Sequence, residues 1–220
     1  MSVYVNVGWL DQMRSSDEEG FAHYQRFFEN VTQMLQQKNL PSYVEPADLL
    51  GRGRSWQVFP SNGIAHLQRL AVYLWKIEEW PTPGSENMGN PLADQQMESA
   101  YEDCYIEARV PNSQGQRFNH LVCHSSRDGY WLPVEFDPVL VENKVEYGSA
   151  LRLMRELEEI ARILNLPLSL DPTNRDVQAR LQSATGTSRW EKYRIESYNC
   201  LALYHAARAS QELGAAIHLH

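Results

Sequence analysis

The stretch SALRLMRELEEIARILN, residues 149–165, admits one secondary structure and so constrains everything that packs around it. Leu153, Leu157, Ile160 and Leu164 recur at spacings of three and four, which makes one face of a helix apolar and in need of cover. Ser149 offers a side-chain acceptor to the first turn. On the opposite side Arg152–Glu156, Arg155–Glu159 and Glu158–Arg162 stand at i,i+4, the pattern of a solvated, ion-paired face.

Three further segments have the same period. Phe21, Tyr24, Phe28, Val31 and Leu35 form a stripe that Ser16 and Glu19 would open as a capping box and Pro41 closes. Ile64, Leu67, Ala71, Leu74 and Ile77 form a second stripe. Trp190, Tyr193, Ile195, Tyr198, Leu201 and Tyr204 lead to Gly214, placed as a left-handed stop. Residues 90–109 fit a helix less fully, with Asn90 as cap and Leu92, Met97, Tyr101 and Cys104 inward. Period 2 stands at both ends, in Val3, Val5 and Val7 and again in Ile217 and Leu219. Residues 41–61 read as a connection, and their GRGR lacks the spacing of a phosphate loop. The expectation is a single α+β domain over residues 1–220. About four helices pack on a small mixed sheet, with strands at both termini and a central hairpin.

That hairpin is read from FNHLVCHSSRDGYWLPVEF, residues 118–136. Two short apolar runs flank SSRDG, and Ser, Asp and Gly are the residues a tight turn uses. Pro133 removes a ladder donor, which predicts an edge strand or a bulge. The same stretch holds the candidate catalytic residues. His124 could act as base, Ser125 or Ser126 as nucleophile, and Asp128 or Glu135 as the orienting carboxylate. Neighbours on a strand point to opposite faces, so His124 and Ser125 meet only if the turn has begun. Turn-building is the simpler role for these residues.

Metal chemistry has little support. On a strand His120 and His124 would lie about 13 Å apart, too far for one ion. His218 and His220 share a face but lack a third ligand, so neither a metal nor a cofactor is expected. Glu135 and Asp137 also share a strand face and could divide acid and base roles.

Composition narrows the function classes. With 43% apolar and 22% charged residues, a core can form without staples. Cys104, Cys123 and Cys200 are too few and too scattered for a disulfide framework, which suits reduced thiols in a cytoplasmic protein. No run reaches the roughly 18 apolar residues of a membrane span. A formal net charge of −8, with the 20 Lys and Arg read as spread along the chain, argues against direct nucleic-acid binding. It suits a basic protein partner.

His124, Ser125, Asp128, Gly129, Tyr130, Trp131, Pro133, Val134, Glu135 and Phe136, with VYVNVGWLDQM at the start and YNCLALYHAARASQELGAAI at the close, resemble an uncharacterised bacterial family. The motif of that family is H-S-D-C-[DE]-G-Y-[YW]-[VIL]-P-V-[DE]-F. Ser126 and Arg127 depart from its Asp-Cys, which removes thiol chemistry from the loop. The resemblance implies a coherent fold and, by general likeness, a protein-binding module of immunity or regulatory type. A hydrolase using His124 with Asp128 or Glu135 is the competing expectation, and oligomeric state is left open.

Overall fold

The period-2 runs at the two ends of the chain pair with each other in the middle of one mixed sheet. A computed structural model describes residues 2–14, 16–93, 95–110, 117–122, 124, 129–182 and 186–219. Its strands are β1 (Tyr4–Val7), β2 (Arg54–Gln57), β3 (Gly129–Leu132), β4 (Leu140–Glu142), β5 (Val145–Ser149) and β6 (Ile217–Leu219). The first helices are α1 (Trp9–Arg14), α2 (Glu18–Gln37), α3 (Gly63–Val72), α4 (Gln95–Glu107) and α5 (Asn119–Val122). The rest are α6 (Ala150–Leu164), α7 (Arg175–Gln182), α8 (Arg189–Lys192) and α9 (Arg194–Leu213). A π-helical turn, Tyr73–Ile77, prolongs α3 and stops at Glu78, whose φ of 57° is left-handed.

The sheet order is β2-β1-β6-β3-β5-β4. β1 runs antiparallel to both β2 and β6, with Val5 opposite Leu219. β3 is antiparallel to β6 and parallel to β5, and β4 closes one edge against β5. Alternation along the strands divides the core in two. Val5, Val7, Trp131, Ile217 and Leu219 face α3, α6 and α9. Tyr130, Leu132, Leu140 and Tyr147 face Phe28, Val31, Met34 and Leu35 of α2. The α+β expectation therefore stands as three layers, helix on sheet on helix. Four helices was an underestimate, because short helices such as α1, α5 and α8 have too few turns to show a period.

Most caps follow local chemistry. Ser149 Oγ accepts from Arg152 N at 3.3 Å, as expected. α2 is capped by Asp17, whose Oδ1 accepts from Gly20 N at 2.9 Å, rather than by a Ser16–Glu19 box. Gly214 ends α9 at φ 64°.

The central hairpin is the expectation that fails. Residues before His124 form α5 instead of a strand, and β3 takes its partners from β5 and β6. The cause is remote in sequence. The Glu156 carboxylate on α6 accepts from His120 N at 3.0 Å and Leu121 N at 2.8 Å, which satisfies the donors of a helical turn. Asn119, His120, Leu121 and Val122 are all buried, so no periodicity distinguishes the two states. Pro133 falls just past the end of β3, so an interior strand loses no donor. The SSRD of the supposed turn, residues 125–128, lies outside the described residues.

Candidate functional site

His124 is the first residue to place. Its side chain is fully buried, with its ring centroid 4.1 Å from that of Trp131. Two glycines make room for it: a Cβ on Gly129 would stand 2.5 Å from Nδ1, and one on Gly148 2.6 Å from Nε2. Neither ring nitrogen has a hydrogen-bond partner among the described residues, and burial pushes the pKa well below the usual histidine range. The imidazole is thus neutral and closed off from solvent. Glu135 lies elsewhere, ion-paired to Arg152 at 2.6 Å and Arg155 at 3.0 Å. Ser125, Ser126 and Asp128 are outside the described residues, and among the described residues no carboxylate stands beside His124.

The charged face of α6 is not the simple solvated ladder its spacing suggested. Arg117 donates to Glu159 at 2.8 and 2.5 Å. Arg152 turns to Glu135 and to Asp137 at 3.6 Å. Glu156 is drawn inward to cap α5, and burial pushes its carboxyl up to about 8 against the two amide bonds and Arg152, which pull it down. Arg117, Asp137, Arg152, Glu156 and Glu159 line a cleft of about 200 Å³. His120 in that cleft is held by Ser149 N on Nδ1 at 2.9 Å and donates from Nε2 to Asp137 O at 2.9 Å. Its ring is committed to structure, and burial brings its pKa down to about 3.

The carboxyl-terminal histidines gather no site either. His218 stacks on Tyr130 with centroids 4.5 Å apart and rings inclined by 2°. His220 is outside the described residues. Among the described residues no three metal-binding side chains cluster.

A different constellation emerges from the surface. Between Ile77 and Ala108 the chain carries eight carboxylates and no lysine, arginine or histidine. That number equals the whole net charge of −8, so the basic residues are not evenly spread after all. Glu78 and Glu79 follow the π turn, and Glu98, Glu102 and Asp103 lie on α4; all five are exposed. None of the five has an ion pair among the described residues, whereas Glu86 pairs with Arg194 at 3.1 Å and Glu107 with Lys76 at 2.6 Å. Glu98 and Glu102 are one turn apart, about 6 Å along the axis at 1.5 Å per residue. Like charges at that spacing oppose the helix. They persist because the inner face of α4 is pinned by Met97, Cys104 and Ala108, all fully buried.

The loop before α4 is held just as firmly. Tyr193 Oη donates to Pro81 O at 2.6 Å and Arg69 Nη1 to Thr82 O at 2.9 Å. Gly84 N donates to Glu196 Oε1 at 2.8 Å, and Asn62 Nδ2 to Gly89 O at 3.1 Å. A Cβ on Gly84 would lie 2.5 Å from His66 Nδ1 and 2.9 Å from Glu196 Oε1, so only glycine lets the loop sit this close. Burial raises the Glu196 carboxyl, and burial with Arg69 brings His66 down to about 4. Sequence reasoning passed over this face. Its signal was the missing cations, visible without any structure.

A family model described as "Putative DNA-mimic protein" matches residues 1–219. No curated protein and no solved structure matches the chain. The match corrects the partner expectation: a partner specified only as some basic protein gives way to the class that a DNA-mimic family suggests, DNA-binding proteins. The expectation that the chain itself avoids nucleic acid is a separate matter, which the match leaves untouched.

Proposed function

Because this chain belongs to that DNA-mimic family, we propose that it offers the exposed carboxylates of residues 77–108 to the DNA-binding surface of a protein and so keeps DNA off it. The observation that carries the reading is that one segment holds eight carboxylates against a net charge of −8, five of them exposed and without an ion pair among the described residues. A DNA-binding surface is built to neutralise rows of phosphate charge. A row of carboxylates on a fixed helix and a strapped loop meets the same cations without a nucleic-acid backbone. The straps matter because a surface already held in its bound shape loses little entropy on docking. An immunity-type or regulatory role is then the cellular use of such blocking.

The test compares wild type with a variant carrying Glu78→Gln, Glu79→Gln, Glu98→Gln, Glu102→Gln and Asp103→Asn. Both are immobilised and exposed to host extract, and the bound proteins are challenged with duplex DNA and with salt. The expected outcome is that wild type holds DNA-binding proteins, that duplex DNA displaces them, and that the variant holds none. Proteins that resist displacement by duplex DNA, or that bind the variant equally, refute the reading.

A further inference from the structure

The edge of the sheet at β4 carries an inference of its own. β4 and β5 are joined by Asn143 and Lys144, both in the left-handed region at φ 50° and 68°, which makes a two-residue hairpin. In such a hairpin the residues flanking the turn, Glu142 and Val145, exchange hydrogen bonds, and the next pair does not. Val141, opposite Glu146, therefore turns its N–H and C=O outward, to a side where the sheet has no further strand among the described residues. An outward-facing strand edge is a template for another strand.

The surroundings of this edge are apolar. Val141 is 36% exposed, and a groove of about 380 Å³ beside it is lined by Leu40, Pro138, Val139 and Leu140, with Lys38 and Arg109 at its rim. α4 ends at the same corner, where Val139 N donates to Ala108 O at 3.0 Å. Ile106, near the end of α4, and Val110, just past it, are 57% and 47% exposed.

We propose that β4 pairs antiparallel with β4 of a second copy of this chain, about a two-fold axis through Val141. The charges select a second copy as the occupant. Centring the pair on Val141 places Glu142 of each copy opposite Leu140 of the other, beside the rim of the groove. Glu142 is exposed and has no ion pair among the described residues, and Lys38 has none either. Arg109 reaches Glu146 only at 3.8 Å. Each glutamate thereby meets the two cations across the axis, twice over by symmetry, as an isologous interface requires. The three-residue strand limits the main-chain contribution, so burial of the groove supplies the remainder. The inference is independent of the DNA-mimic reading, although pairing here would bring two acidic α4 helices into one assembly.

Sedimentation equilibrium across a concentration series tests it. Wild type is expected to reach twice the chain mass at high concentration. Val141→Pro removes the outward N–H, leaves the β4–β5 ladder its own bonds, and should be monomeric with an unchanged circular dichroism spectrum. Glu142→Lys should weaken the dimer, and adding Lys38→Glu to it should restore much of the association. A wild type that stays monomeric throughout overturns the proposal, as does a folded Val141→Pro variant with undiminished association.

Discussion

Glu45 offers the sharpest link between a buried side chain and a measurable pH dependence. Its Oε2 accepts from Ala216 N at 2.8 Å and from the Tyr43 hydroxyl, while Oε1 is buried without a partner among the described residues. Burial outweighs the amide bond and pushes the carboxyl from 4.5 up to about 8. The displacement corresponds to a preference of roughly 5 kcal/mol for the protonated fold, at about 1.4 kcal/mol per pH unit. In the unfolded chain the group returns to its ordinary value, so unfolding between these limits releases a proton. Stability from this residue is complete below pH 4.5 and is lost as the pH rises through about 8.

Replacing Glu45 with glutamine keeps an acceptor for Ala216 and abolishes the titration. The assay is urea unfolding of both proteins at closely spaced pH values. Other titrating groups are common to both and cancel in the difference. The stability of wild type relative to Glu45→Gln should fall with pH at about 1.4 kcal/mol per unit over the neutral range. A relative stability that stays flat from pH 5 to 8 would mean that Glu45 is ionised in the fold, and the argument from its bare oxygen would be wrong.

Three other perturbations have defined outcomes. His66 and His120 are held neutral, with pKa values of about 4 and about 3, so the unfolded chain takes up protons that the fold refuses. Their contribution is complete above pH 6.5 and is lost as the pH falls towards those values; thermal midpoints should drop steeply in acid, and His120→Gln should shallow that drop. Removing the like-charge pair with Glu98→Gln and Glu102→Gln should leave stability unchanged or raised by roughly 0.2–0.5 kcal/mol while partner binding is lost, read by urea titration beside the capture assay. Gly84→Ala forces a methyl group against His66 and Glu196 and should cost about 1–3 kcal/mol, with Trp80 fluorescence reporting displacement of the loop.

How much of this was legible in the sequence depended on whether the cause was local. The stripe of α6, the cap at Ser149, the stop at Gly214 and the strands at both ends depend on neighbours a few residues away, and all were read. α5 was not, because its turn is fixed by Glu156 from a distant helix. The β4–β5 hairpin escaped because Asn143–Lys144 takes left-handed angles without the glycine that usually announces them. Trp131 and His124 show the same limit: they were read as parts of two strands flanking a turn, yet Gly129 and Gly148 make room for the His124 ring against Trp131 in the core. The acidic face was missed for a different reason. Its evidence is what residues 77–108 lack, and a search for motifs does not register a missing residue type.

That absence has a structural consequence which bears on the proposed function. A segment with eight carboxylates and no cation of its own repels itself, and among the described residues only Arg194 on Glu86 and Lys76 on Glu107 offset that repulsion. The opposing forces come from beneath: Met97 and Cys104 in the core, and the bonds from Arg69, Tyr193 and Glu196 to the loop. Fold and charge are therefore separable here. Outer carboxylates can be neutralised without touching any group that holds the segment down, and the Tyr193–Pro81 strap can be cut with Tyr193→Phe without changing the net charge. If charge alone attracts a DNA-binding surface, only the first set of changes should abolish binding. If the spacing of the charges matters, Tyr193→Phe should weaken binding as well, with every acid still in place.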